Sequence, residues 1–338
     1  MTFSQAGTKL FGSESENIAE VHRGLRPWLV ERLSRNRETP PDHPLTGRLE
    51  SALAEWAMTT GMSERYRRTI VEARLGHFAG LAAPNAPARV QLLIAKSEAL
   101  PIVINTIDLH ERPIAALTKP LVEILEGSAP PRPTGGYHDA VTHFRNEIVE
   151  AGGAELLPGL ADVYRALFRE YERRQEWAKT GHLPSMAEYL SHRKIAAGAI
   201  PGMWLQRLQS GLVGPGEGLP GSLLRLFQQV NLLIGLDNDL QSCHKEADNG
   251  EDPSLIRIIA REYAVPTSST FPCALALISG LRHECATTVN EVCVNPAVTE
   301  NVRRHASVML RWVDGVYTWG LKTPRYQALD TQGRSKVG

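Results

Sequence analysis

The chain has 338 residues, with 37 Lys and Arg against 37 Asp and Glu, so its formal net charge is zero. That balance excludes a whole-surface electrostatic drive toward nucleic acid or an anionic membrane. A hydrophobic share of 42% with 22% charged residues is that of a globular chain long enough to bury a sizeable core.

In chain order, residues 1–45 form a polar, proline-containing N-terminal segment, partly ordered, with one amphipathic piece from Asn17 to Leu33. Its opening stretch, MTFSQAGTKLFGSESENIAE, lacks a basic segment followed by an apolar run and does not read as a signal peptide. Residues 46–326 form one domain that is helical nearly throughout. Apolar residues recur at three- and four-residue spacing in Leu49–Gly61, Ser63–Leu81, Pro87–Leu109, Ala115–Gly127 and Gly159–Lys179. The same spacing continues in Ser185–Ala199, Ser222–Asn249, Pro253–Tyr263, Ala274–Val294 and Thr299–Thr318. Loops are expected at Ala129–Gly136 and Gly211–Gly221, and a flexible tail at 327–338. No segment alternates at period two. The expectation is an all-α, single-domain fold of about ten helices, too long for a four-helix bundle.

No run approaches ~18 uninterrupted apolar residues, so no membrane span is expected. Cys243, Cys273, Cys285 and Cys293 form no CxxC pair and read as reduced, partly buried thiols. A cytoplasmic location follows. Gly-rich phosphate loops, zinc spacings and serine–histidine nucleophile arrangements are absent. His182, His192 and His244 lack partners at ligand spacing.

The segment GLDNDLQSCHKEADNG carries the strongest constellation. Asn238, Ser242 and Glu246 are spaced i, i+4, i+8 on one helix, within an arc of about 80° and a row about 12 Å long. Each offers oxygen, as amide, hydroxyl or carboxylate. Such a donor set suits a hard divalent cation, Mg²⁺ above others, with water and phosphate completing the shell. Lys245 stands where it reaches a phosphate once the metal is in place. The plainer alternative is an exposed polar helix face.

The string NDLQSCHKE resembles the second metal-binding motif of class I terpene synthases, Asn-Asp-x-x-Ser-x-x-x-Glu with Lys before the Glu, at every specified position. Arg193 precedes Asn238 by 45 residues, within EYLSHRKIAAGAIP, and is similar to that family's diphosphate-sensing Arg ahead of a small-residue helix break. Ala197 and Gly198 in that break would let the backbone approach the substrate. RWVDGVYTWGLKTPRY is similar to the family's ending, which implies that Arg325 and Tyr326 donate hydrogen bonds to diphosphate. The resemblance covers roughly residues 50–326.

The first metal motif departs from the family's Asp-Asp-x-x-Asp/Glu form. In SEALPIVINTIDLHERP one register places Asn105 and Thr106 at the two Asp positions; a second places Ile107 and Asp108 there, with Glu111 following. A carboxylate is missing in either. Asp108 is the favoured main ligand, with Asn105 or Glu111 assisting; alternatively Asp108 and Glu111 mark the solvated end of a helix before Pro113.

The resemblance implies a helical barrel around an apolar cavity and up to three Mg²⁺ ions, with fewer if the first motif is degraded. The implied reaction is ionisation of a prenyl diphosphate, C15 or C20 with a lean to C20 or bicyclic copalyl-type substrates, followed by cyclisation. Arg193, Lys245, Arg325 and Tyr326 would act on the departing diphosphate. Phe78, Trp204, Phe227 and Trp319 are the cavity-wall candidates, together with Ile104. Members of the family are often homodimers. Two other readings stand beside this one: a non-catalytic diphosphate-binding helical protein, and a chain-elongating prenyltransferase, which would carry two Asp-rich motifs.

Overall fold

Four of the described helices begin at residues whose side chains accept a backbone N–H. Ser63 accepts from Tyr66, Ser254 from Arg257 and Thr299 from Val302, and Ser185 forms a reciprocal capping box with Glu188. The computed structural model describes residues 4–35, 37–107, 114–128, 136–213, 219–248 and 254–326, and leaves the side chains at 4–17, 19, 106, 107 and 245–248 outside that description.

Sixteen α-helices occur among the described residues, and no strand. They are α1 (Ser4–Ser34), α2 (Thr46–Thr59), α3 (Glu64–Ala73), α4 (Leu75–Ala82), α5 (Ala88–Ile107), α6 (Ile114–Leu125), α7 (Tyr137–Glu150) and α8 (Leu157–Thr180). Then come α9 (Met186–Ala196), α10 (Ile200–Leu205), α11 (Arg207–Ser210), α12 (Gly221–Asp248), α13 (Leu255–Tyr263), α14 (Thr267–Val294), α15 (Glu300–Ser307) and α16 (Met309–Lys322). A short 3₁₀ turn, Pro324–Tyr326, follows.

The all-α expectation holds, and the count of about ten is corrected upward. The Ser63–Leu81 segment is two helices because Arg74 takes a left-handed conformation, φ 51°, and ends α3. Thr299–Thr318 likewise divides at Val308. Helix α7 falls in a stretch with no predicted helix. Helix α1 is longer than the Asn17–Leu33 piece.

Helix α12 is the axis of the fold, with α1, α9, α14 and α16 packed on it. From Val230 to Leu240 every residue is buried except Asn238. A helix enclosed on all sides cannot show a one-sided apolar stripe, which is why this stretch reads as uniformly apolar with isolated polar residues. Those polar residues are matched. The Arg37 guanidinium donates two bonds of 2.7 Å to the Asp237 carboxylate and stacks over the Tyr317 ring at 4.3 Å. Arg282 pairs with Asp314 at 2.8 Å nearby.

Helix α1 is fastened to the same axis. Burial pushes the His22 imidazole down to about 4, so it is neutral, and its Nε2–H donates to the Leu240 carbonyl at 2.6 Å. Its ring stacks on His244 with centroids 5.1 Å apart. Arg26 donates to the Tyr326 carbonyl at 3.1 Å. Among the described residues no single helix is long and apolar enough to cross a membrane; the bent pair α13 and α14 meets that test only jointly.

Candidate active site

A cavity of about 140 Å³ lies between α4, α5, α8, α9, α12, α16 and the 3₁₀ turn. Apolar protein cavities of about 150 Å³ accept a benzene-sized group. One part of its lining is aromatic and aliphatic: Leu75, Phe78, Ile102, Ile234, Val316 and Trp319. The other is polar and holds Asn105, Arg193, Asn238, Asp239, Arg325 and Tyr326.

The break between α9 and α10 shapes one wall. Ending a helix leaves carbonyls and N–H groups unmatched. Asn231, fully buried on α12, answers both sides: its Nδ2 donates to the Lys194 carbonyl at 2.8 Å, and its Oδ1 accepts from the Ala199 N–H at 3.1 Å. Gly198 sits in the break at φ 86°, where a side chain would be strained. Ala197 and Gly198 both line the cavity, as the small-residue string implied.

Arg193, in the last turn of α9, lies across α12. Its Nη2 donates to the Gly235 carbonyl at 2.6 Å, to Asp239 Oδ1 at 2.6 Å and to Asn238 Oδ1 at 3.3 Å. A Cβ at position 235 would stand 3.1 Å from Arg193 Nε, so the glycine makes room for the guanidinium. Burial lifts the Asp239 carboxyl above the ordinary carboxylate range, while Arg193 and the Tyr189 hydroxyl, donating at 2.6 Å, pull it back. Asn238 turns its Nδ2 to the Tyr326 hydroxyl at 2.7 Å. Arg325, beside it, also lines the cavity.

The remaining predicted residues divide. Ser242 is buried and donates to the Asn238 carbonyl one turn back at 2.7 Å, and it is not among the lining residues. The backbones of Lys245 and Glu246 continue α12, but their side chains lie outside the described ones; Asp108 and Glu111 lie outside the described residues altogether. Asn105 lines the cavity, and its Oδ1 is buried with no hydrogen-bond partner among the described residues.

Phe78 and Trp319 meet edge to face with centroids 5.5 Å apart, Trp312 backs Phe78 at 5.7 Å, and Trp319 meets Tyr326 at 5.7 Å. Trp204 and Phe227 are placed elsewhere. Trp204 packs against Gly159 and donates to the Leu156 carbonyl at 3.0 Å; Phe227 packs edge-on to His305 at 5.3 Å. Ile104 is fully buried outside the lining. All three serve helix-to-helix packing.

Among the lining residues to which sequence reasoning gave no role are Tyr189, His192 and Glu98. Tyr189 anchors Asp239. His192 is paired with Glu170 at 2.9 Å, and burial pushes its imidazole down. Glu98 stands on α5 facing the cavity. Its only signal was a carboxylate standing just before the apolar string ALPIVI.

The donor chemistry fits a hard cation. The unmatched Asn105 Oδ1 and the Asn238 amide put two oxygen donors of the kind such a cation takes in one cavity beside two arginines, although no cluster of three His, Cys, Asp or Glu occurs among the described residues. A cavity with aromatic and aliphatic side chains on one part of its wall and amide and guanidinium groups on the other, set in an all-helical fold, suits an apolar molecule with an anionic head. The profile of terpene synthase family 2, C-terminal metal binding, matches residues 108–284, and the chain belongs to that family.

Spiroviolene synthase of Streptomyces violens is 26% identical over 156 residues, which is 45% of this chain and 42% of that protein. The (+)-T-muurolol synthase of Streptomyces clavuligerus is 27% identical over 176 residues, 51% of this chain and 41% of that one. The matched stretches thus span less than half the length of these relatives. In fold, the chain is similar to 2-methylisoborneol synthase from Streptomyces coelicolor A3(2) in complex with Mg²⁺ and 2-fluoroneryl diphosphate, with TM-score 0.76 and 17% identity over 87% of this chain and 96% of that one.

Proposed function

We propose that the chain is a Mg²⁺-dependent class I terpene synthase that ionises a prenyl diphosphate and cyclises the resulting cation. The observation that carries this reading is the meeting of Arg193, Asn238, Arg325 and Tyr326 in one cavity with the Phe78–Trp319 wall. Membership of the family supports it, as does the likeness in fold to a synthase solved with Mg²⁺ and a diphosphate analogue.

Asn238, Ser242, Glu246 and Asp108, with Asn105 or Glu111 assisting, would hold up to three Mg²⁺ ions, whose charge would offset that of the departing diphosphate. Arg193 would take diphosphate oxygens with a guanidinium already fixed by Asp239 and the Gly235 carbonyl, so little reorganisation is needed. Arg325 and Tyr326, with Lys245, would add donors to the same group. Breaking the C–O bond leaves an allylic cation. Phe78 and Trp319, packed edge to face on the cavity wall, would offer aromatic surface to it.

The sequence leans to a C20 or bicyclic substrate on its 6% aromatic content, which favours aliphatic walls. The homodimer frequent in the family and a cytosolic setting go with this reading.

The test is incubation with Mg²⁺ and geranyl, farnesyl, geranylgeranyl or copalyl diphosphate, read by gas chromatography and by diphosphate release. Terpene release with one of them is the expected result. A lengthened diphosphate would show a prenyltransferase, and saturable binding without turnover a non-catalytic binder; either overturns the reading.

A further inference from the structure

Helix α5 carries three consecutive polar side chains, Lys96, Ser97 and Glu98, in an otherwise apolar run. Two are settled within the protein. Lys96 pairs with Glu147 at 2.5 Å, and Ser97 donates to the Ile94 carbonyl at 2.7 Å. Glu98 faces the cavity, and among the described residues its one hydrogen bond is from the Gly202 N–H to Oε1 at 3.2 Å. Position 202 is built for that contact. A Cβ there would come within 2.8 Å of Glu98 Oε1 and 2.5 Å of the Trp312 ring, so only glycine leaves the carboxyl in place.

Tyr171, on α8, lines the same cavity and is 6% exposed, and its hydroxyl has no hydrogen-bond partner among the described residues. A Cβ at Gly198 would lie 3.8 Å from that hydroxyl, which puts it at the α9–α10 break. Burial, then the nearby Glu98, push the Tyr171 phenol up, so it stays protonated. Burial pushes the Glu98 carboxyl up to about 8, so near neutrality it is mostly a carboxylic acid, able both to donate and to accept.

Glu98 and Tyr171 are two under-bonded oxygen groups on the lining of one cavity, near enough that the Glu98 charge acts on the Tyr171 phenol, and both can offer hydrogen bonds to one small molecule. A water inside a protein needs two to four polar partners, which Glu98 and Tyr171 together supply. We propose that Glu98 and Tyr171 hold a water molecule within the cavity, and that this water captures the cyclised carbocation so that the released product is a terpene alcohol.

The proposal rests on the cyclase reading above and assigns its termination step. A lone pair of the water oxygen forms the new C–O bond to the cationic carbon. The proton lost from the resulting oxonium passes to the diphosphate released in the first step, a stronger base than a neutral carboxylic acid. Keeping Glu98 neutral matters, because a carboxylate at that position would itself add to the cation as an ester. Bulk water is not required; a single fixed molecule reaches only the carbon that the folded intermediate presents to it.

The test is the prenyl diphosphate panel run in ¹⁸O-labelled water with the wild-type protein, Glu98→Leu, Glu98→Gln and Tyr171→Phe. The readout is the ratio of alcohol to hydrocarbon, taken whatever the total rate. The wild type is expected to release alcohol carrying ¹⁸O. Glu98→Leu and Tyr171→Phe are each expected to lower the ratio at least fivefold, with Glu98→Gln keeping most of it. Should Glu98→Leu fail to fold, Tyr171→Phe carries the comparison alone. Hydrocarbon alone from the wild type, unlabelled alcohol, or a ratio unchanged in the foldable variants would overturn the water site and leave the cyclase reading standing. No diphosphate release from any substrate would overturn the cyclase reading and the water site with it.

Discussion

The Asn238 amide donates to the Tyr326 hydroxyl at 2.7 Å, joining the first residue of the proposed metal row to the chain's C-terminal Arg-Tyr pair across 88 positions. Because the Nδ2 is spent on Tyr326, the amide orientation is fixed and Oδ1 is aimed at the side of the cavity where Arg193 lies. Tyr326→Phe removes both that acceptor and a proposed diphosphate donor. It is expected to lower turnover about 10²-fold, and Asn238→Ala by about 10³-fold, with the helical circular dichroism of both unchanged. Wild-type turnover in both variants would remove these residues from the diphosphate end of the cavity.

The register of the first metal motif is decided by a pair of variants. Asn105 has a buried, unmatched Oδ1 in the cavity, which supports a ligand role. Asn105→Ala is expected to raise the Mg²⁺ concentration for half-maximal turnover about tenfold, and Asp108→Ala more, because it deletes a negative charge as well as an oxygen. Titration of activity against Mg²⁺ measures both. Unchanged Mg²⁺ dependence in the two variants would rule out either register.

Arg37 and Asp237 form a doubly bonded ion pair with side chains 2% and 4% exposed. Removing one partner leaves the other charge buried and unmatched. Arg37→Ala is therefore expected to cost about 3–5 kcal/mol of stability, read by urea denaturation, whereas Arg37→Ala combined with Asp237→Ala should cost less than the sum of the single changes. Additive losses would show that the two charges are not coupled.

Acid should unfold the protein through its buried imidazoles. Burial pushes His305 down to about 3 and His22 down to about 4, so both are neutral when folded. The unfolded chain takes up protons below about pH 6.5, the ordinary histidine value, and so gains on the folded state as pH falls. For His305 alone the loss at pH 5 is about 2 kcal/mol. Thermal melts at pH 7.5 and pH 5 are expected to show a smaller drop for His305→Leu than for the wild type; equal drops would place the acid sensitivity elsewhere.

The all-helical class was readable because period-3.6 spacing is a local property, written within each helix. Arg193 and Asn238 could be singled out because fixed residue types at fixed spacing survive as a string, and the structure brings these two to one cavity. What failed to show was direction. Trp204 and Phe227 are large apolar side chains that suit a wall or a core equally, and only the rotation of α10 and α12 in the assembled fold turns them into the core. The reverse error hid Glu98, a single acidic residue on α5, whose meaning depends on Gly202 and Tyr171 arriving from distant parts of the chain. The division of Ser63–Leu81 at Arg74 was hidden for a third reason, since nothing about arginine marks a left-handed helix end.

Arg26 on α1 grips the carbonyl of Tyr326, and His22 grips that of Leu240, so an element far from the cavity in sequence braces both the C-terminal turn and the helix that carries Asn238. A purification tag, fusion partner or crosslink that levers α1 away would therefore loosen the Tyr326 turn and the Asn238 helix together. For anyone preparing this protein, the quality of the leading helix is an assay variable.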